Sequence, residues 1–190
     1  MSTLFDLLTD LEVDGVPSEE WLSARGGAAT IDDLWAGGEA LWMAKLATRV
    51  APRRQLVAAA CMIARRVERL LPLTDRRSRH ALERAEHWLE NSTLDLERLN
   101  GEWVLGEIEA TPLGFGAVSA VDAAYDPSRI AVGEVGLDYA VLHAENAIRN
   151  GERVSREAAL AELATLIRAN ISCPTLDELR AAYSGEKPPT

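Results

Sequence analysis

The sequence predicts an all-α protein of roughly seven to nine helices, built as antiparallel helical hairpins packed around a central buried helix. Three observations lead there. From residue 31 onward apolar residues recur at three- and four-residue spacing rather than alternating. Helix caps and helix breakers punctuate those runs at regular intervals, at Thr30, Pro52, Pro72, Asp126, Ser155 and Thr175. Only one long stretch, residues 101–116, resists a helical reading.

The elements follow in order. Residues 1–29 are read as an acidic helical extension, and residues 30–184 as a single α-helical domain. Thr30 is a good N-cap, and Asp32 and Asp33 then sit where the helix dipole favours carboxylates. Gly37-Gly38 interrupts this segment, which is therefore two short helices or one kinked helix ending near Val50. Pro52 marks a break. From Arg53 to Leu71 the residues Leu56, Ala60, Ile63, Ala64, Val67, Leu70 and Leu71 define one apolar face. Pro72 ends that helix, and Thr74 or Asp75 caps the next, in which Ala81, Leu82, Ala85, Trp88 and Leu89 share a face. The pair reads as an αα-hairpin.

After Asn91 a cap at Ser92 or Thr93 opens a short helix, LDLERL. Residues 101–116 carry four glycines and a proline and read as an ordered loop with a short strand at Trp103 to Leu105. Helix resumes from Ala117 to Tyr125. Asp126-Pro127 has the form of an N-cap followed by a first-turn proline, so a long helix is expected from Pro127 to about Asn150. This helix is apolar nearly all round between 130 and 142, which marks it as the central one. Its glycines, Gly133 and Gly136, are assigned to close packing. Asn150-Gly151 stops it, Ser155 caps a helix to Asn170, and Pro174-Thr175 opens a short terminal helix. Residues 185–190 should fray. A weak echo at an offset of 59 residues matches Ala81, Leu82, Ala85 and Leu89 with Ala140, Val141, Ala144 and Ile148. Two stacked hairpins would produce it, and so would chance similarity of alanine-rich helices.

Composition narrows the function classes. The 190 residues carry 47% hydrophobic and 26% charged side chains, the balance of an ordinary globule. No apolar run is long enough to span a bilayer, and the first residues lack the basic start of a secretion signal, so no membrane contact and a cytoplasmic location are expected. Cys61 and Cys173 are far apart and read as small buried hydrophobes of a reduced compartment. The net charge of −10 is unevenly spread. Residues 41–90 form a basic middle third between acidic flanks, and all but one of its cations are arginine. Internal pairing with the flanks and docking of an acidic partner both account for that pattern.

Candidate chemistry is sparse. His80, Glu83 and His87 share a helix stripe and are metal ligands in type, but the histidines stand two turns, about 10 Å, apart. An exposed, ion-paired face is the expectation, with no metal. Glu134 and Asp138, spaced i,i+4 near His143 on the expected central helix, are a carboxylate pair for acid–base work, the only wet strip of that helix, or partners for arginines of residues 65–84. Gly114-Phe115-Gly116 lacks the lysine and glycine pattern of a phosphate loop. No catalytic residue and no cofactor are assigned. The strongest feature is an arginine set, Arg65, Arg69, Arg76, Arg77, Arg79 and Arg84, with Trp88 on the same hairpin. Low pI, scarce lysine and the absence of interleaved aromatics argue against nucleic acid. An acidic protein surface is the expected partner, and self-association stays open.

Ala60-Cys61, the leucine-rich end of that helix and then DRRSRHALERAEHW, residues 75–88, resemble the Imm5-like bacterial immunity proteins. Those carry an alanine–cysteine helix followed by a helix with the aspartate–arginine, alanine–isoleucine–glutamate, alanine and tryptophan pattern; Leu82 replaces the isoleucine here. The resemblance covers about residues 56–99. It implies an all-α cytoplasmic protein that neutralises a cognate toxin by binding it, without catalysis. Residues 1–40 and the glycine-rich loop depart from that pattern. Two other classes fit the sequence: an accessory or scaffold subunit of a larger bacterial defence-type complex, and a helical metalloenzyme.

Overall fold

The structure, a computed structural model, describes Leu8 and residues 30–71, 76–91 and 115–184. Among these residues the chain forms eight α-helices and no strand. They are α1 (Ile31–Gly37), α2 (Ala40–Val50), α3 (Arg53–Val67), α4 (Arg76–Glu90), α5 (Phe115–Val132), α6 (Leu137–Glu152), α7 (Arg156–Asn170) and α8 (Leu176–Tyr183). A single 3₁₀ turn, Glu68–Leu70, extends α3. The all-α expectation holds.

Local chemistry sets most of the boundaries. Thr30 and Asp33 form a reciprocal capping box, and so do Thr175 and Glu178. Ser155 accepts the amide of Ala158 at 3.2 Å. The Gly37-Gly38 interruption resolves into two helices. The expected caps at Thr74, Asp75, Ser92 and Thr93, the LDLERL helix, the strand at 103–105 and the tail at 185–190 lie outside the described residues. So does the N-terminal extension, apart from Leu8, which is helical and fully buried in the core.

The long central helix is corrected. The chain does not start a helix at Pro127 but runs through it: α5 continues from Phe115 to Val132 with the proline inside. The break falls six residues later. Gly133 takes φ +82°, its amide donates to Ile130 at 3.0 Å, and the amide of Glu134 donates to Arg129 at 2.9 Å. This bond pair is a Schellman C-cap, which needs a left-handed residue that glycine supplies at least cost. Gly136 then N-caps α6 without a side chain. Thr48 of α2 fills that role from outside, accepting the amide of Leu137 at 2.9 Å. The two glycines therefore serve a turn, and the expected interior helix is a hairpin.

Gly151 does not stop α6 either. The helix passes through it to Glu152 and ends on Arg153, at φ 57°. Gly151 is small because α5 and α3 come close. A Cβ at Gly116 would lie 2.8 Å from the backbone nitrogen of Gly151, and a Cβ at Gly151 would lie 2.8 Å from Leu70.

Gly116 meets Gly151 and Asp126 meets His143, so α5 and α6 run antiparallel. Arg54 reaches the Leu89 carbonyl, Arg65 reaches Glu86 and Arg79 reaches Glu68, so α3 and α4 are antiparallel too. Two hairpins thus stand at the positions the 59-residue echo relates. The centre is shared: α3, α5 and α6 pack on one another, while α4 covers α5, α2 and α7 cover α6, and α8 rests on α2. The core is mostly alanine, leucine, isoleucine and valine, with Trp35, Trp42 and Trp88 as its buried large aromatics. Trp35 and Trp42 meet edge to face with centroids 6.4 Å apart. Arg168 of α7 donates to the carbonyls of Trp35 and Ala36 at 3.3 Å, satisfying the end of α1.

Candidate functional site

The basic hairpin divides into a paired base and an exposed rim. At the base, Arg65 grips Glu86 with two hydrogen bonds, at 2.8 and 2.6 Å, and Glu68 with a third at 2.8 Å. These bonds hold its guanidinium above the ordinary arginine range. Arg66, which the sequence reading did not select, is held more fully. It bonds Glu152 of α6 at 2.7 and 3.0 Å and Glu162 of α7 twice, once at 2.9 Å and once through Nε. Arg69 adds a bond to Glu152 at 2.6 Å. The Arg66 bonds, and then those of Arg69, draw the Glu152 carboxyl from 4.5 down to about 2. Arg79 faces Glu68 at 3.8 Å, and Arg84 is half-buried with an interaction of its own.

Four of the seven expected contact residues are therefore engaged within the chain. Trp88 is corrected outright: at 8% exposure it is part of the core and is not presented to a partner. Arg76 and Arg77 differ. Both are exposed in the first turn of α4, and neither forms a hydrogen bond or ion pair among the described residues. Arg69, with its side chain 64% exposed, keeps part of its surface in solvent despite Glu152.

The histidine stripe lies on the outside of α4. His80 faces Glu83 at 3.8 Å and His87 faces Glu90 at 3.6 Å, and the two rings share no ligand geometry. Among the described residues no cluster of three or more histidine, cysteine or acidic side chains could hold a metal ion. Glu134 is not on a helix with Asp138. It lies in the α5–α6 turn, exposed, with Arg129 at 3.8 Å. Burial pushes the Cys61 thiol up to about 12, so it behaves as a core side chain. No described helix is long and apolar enough to cross a membrane.

The titratable cluster that the sequence reading missed lies between α5 and α6. Asp126, read as an N-cap, is wholly buried inside α5. Its Oδ2 lies 2.7 Å from Nδ1 of His143 on α6. Its Oδ1 accepts from Arg129 at 3.3 Å. The Asp126 bond raises the imidazole above its ordinary value, against the opposing effect of burial. One turn back, Asp122 is half-buried, and burial raises its carboxyl as well. The Tyr139 ring stands edge-on to His143 at 6.2 Å, with the Arg129 guanidinium 6.0 Å from its centre. The legible signal was Asp122, Asp126 and Arg129 recurring on one stripe of an otherwise apolar helix.

Glu145, also on α6, is the other buried acid among the described residues. It is 2% exposed, flanked by Arg149 at 3.5 Å and Arg156 at 3.8 Å, and its Oε1 has no hydrogen bond. A cleft of about 250 Å³ between the α1–α2 junction and the start of α7 brings together Glu39, Arg156 and Glu157, with no nucleophile among the described residues that line it.

No protein-family model, no curated protein and no solved structure matches the chain at a significant level.

Proposed function

We propose that this protein works by binding another protein through the outer end of the α3–α4 hairpin, as an immunity protein binds its toxin, and catalyses no reaction itself. The observation that carries the reading is the placement of Arg76 and Arg77. Both are exposed in the first turn of α4, a turn that contains no acidic residue. The N-terminal end of a helix is the positive pole of its macrodipole, so two cations there oppose it and cost local stability. An anionic surface that the helix end and both guanidinium groups meet together would offset that cost.

The paired arginines then have a supporting role. Arg65 ties α3 to α4, and Arg66 and Arg69 tie α3 to α6, with Arg66 reaching α7 as well. A platform fixed before binding loses less entropy when a partner docks. The contact set is accordingly Arg76 and Arg77, with the exposed part of Arg69; Trp88 has no place in it. An acidic protein, a toxin by the resemblance of residues 56–99, is the partner class.

Affinity capture from the native host tests this. A stoichiometric protein partner, retained at low salt and weakened at moderate salt, is the expected result. The double variant Arg76→Glu, Arg77→Glu should lose that partner while keeping its helical circular dichroism. Recovery of no partner at either salt removes the reading.

A further inference from the structure

Pro127 leaves a missing rung in α5. It has no amide hydrogen, so the carbonyl of Ala123, four residues back, receives no donor from it, although the helix continues to Val132. Six residues on, Gly133 turns the chain out of the helix. The short length between these points is held by side chains reaching across to its neighbours. Ser128, itself buried, donates to the Ala81 carbonyl of α4 at 3.1 Å. Asp126, adjacent to the missing rung, bonds His143 of α6 at 2.7 Å.

We infer that Asp126 and His143 form a proton-controlled clamp, which fastens the C-terminal part of α5 to α6 when the imidazole is charged and slackens when it is neutral. Nδ1 donates to the carboxylate in either state, so the clamp loses strength rather than its bond. With the imidazolium, the buried Asp126 charge is matched at contact distance. With the neutral ring the carboxylate keeps the Nδ1 hydrogen bond, but among the described residues the cation left beside it is Arg129 at 3.3 Å, whose side chain is 37% exposed and screened by solvent. A buried charge so weakly matched disfavours the closed packing.

The ring is open to proton exchange. Its side chain is 21% exposed, and among the described residues Nε2 has no hydrogen-bond partner. The charged groups that act on the imidazole are Asp126, Asp122 and Arg129, all from α5. From its own helix it faces the Tyr139 ring. The other helices packed on α6, namely α2, α3 and α7, bring no described charge that acts on it. The sign follows: a histidine raised by folding contributes fully below 6.5, and that contribution is lost as pH rises through its folded value.

Hydrogen exchange tests the clamp, read as protection factors so that the chemical pH dependence of exchange is removed. Between pH 6 and pH 9, amides of residues 128–133 should lose about fivefold in protection relative to those of α7, the difference between an ion-paired and a singly charged hydrogen bond. His143→Gln should show low protection at both pH values. Nuclear magnetic resonance of the wild-type His143 ring gives a second readout that does not depend on a variant folding. Its titration midpoint should lie above 6.5 and fall in Asp126→Asn. Protection that is unchanged with pH, pH dependence that survives in His143→Gln, or a wild-type midpoint at or below 6.5 would each overturn the inference.

Discussion

Replacing Arg66 by methionine tests whether the ionic lattice under the hairpin holds the fold together. Methionine keeps most of the aliphatic stem, so the loss is confined to the guanidinium and its four bonds to Glu152 and Glu162. The side chains of Arg66 and Glu152 are 20% and 21% exposed, whereas that of Glu162 is 41% exposed. The Glu162 bonds count little, since an exposed carboxylate rehydrates. The Glu152 bonds count more, although Arg69 still neutralises that carboxylate at 2.6 Å after the change. Four bonds to a charged group would sum to well over 6 kcal/mol if taken singly; partial exposure and the surviving Arg69 reduce this to about 2 kcal/mol. For a chain of this size that is a fall of about 4–8 °C in melting temperature. Urea unfolding of wild type, Arg66→Met, Glu152→Gln and the double variant gives the coupling directly, expected at about 1 kcal/mol or more. A coupling below about 0.3 kcal/mol would refute the reasoning, because the lattice would then be a surface ornament of the kind most exposed ion pairs are.

Acid should weaken the same lattice. Glu152 is drawn down to about 2 chiefly by the Arg66 bonds, so its contribution is complete above pH 4.5 and drains as pH falls toward 2; Arg66→Met should flatten that limb of a stability–pH curve. Gly116→Ala should destabilise by about 1–3 kcal/mol in thermal unfolding, despite alanine's better helix propensity, because the new Cβ would sit 2.8 Å from the Gly151 backbone. Trp88→Ala should cost about 3–5 kcal/mol as a core truncation; a loss under 1 kcal/mol would return Trp88 to the surface. Thiol reagents should label Cys61 only as fast as the protein unfolds, since burial holds its thiol up at about 12.

The elements that could be read from the chain are those fixed by neighbouring residues. Thr30, Ser155 and Thr175 cap because their own hydroxyls reach amides three residues on, and that information is local. Asp126-Pro127 shows where local reading stops. The dipeptide has the form of a helix start, and in isolation that would be its best use. Within the folded chain, the bond from Asp126 to His143, 17 residues away, and the burial of Ser128 against α4 outweigh the missing rung at Ala123. Once the proline is inside a helix, the break must fall elsewhere, and Gly133 is the next residue able to take a left-handed conformation without a steric penalty. One misplaced boundary thus turned a hairpin into a single helix.

The arginines repeat this division. Their number and position are plain in the sequence, but whether a guanidinium faces outward depends on carboxylates that lie far along the chain. Glu152 and Glu162 are 86 and 96 residues from Arg66, and no spacing rule connects them. Arg65, by contrast, pairs across the hairpin with Glu86, on the face that helical periodicity already turned toward α3. Sequence periodicity therefore places a charge on a face, and only the packing of a third or fourth helix decides whether it is satisfied there. Arg76 and Arg77 stand on α4, which packs on α5 and α3 rather than on the α6 and α7 that carry Glu152 and Glu162, and neither pairs with a carboxylate among the described residues. Their exposure follows from the same topology that buries the reach of Arg66.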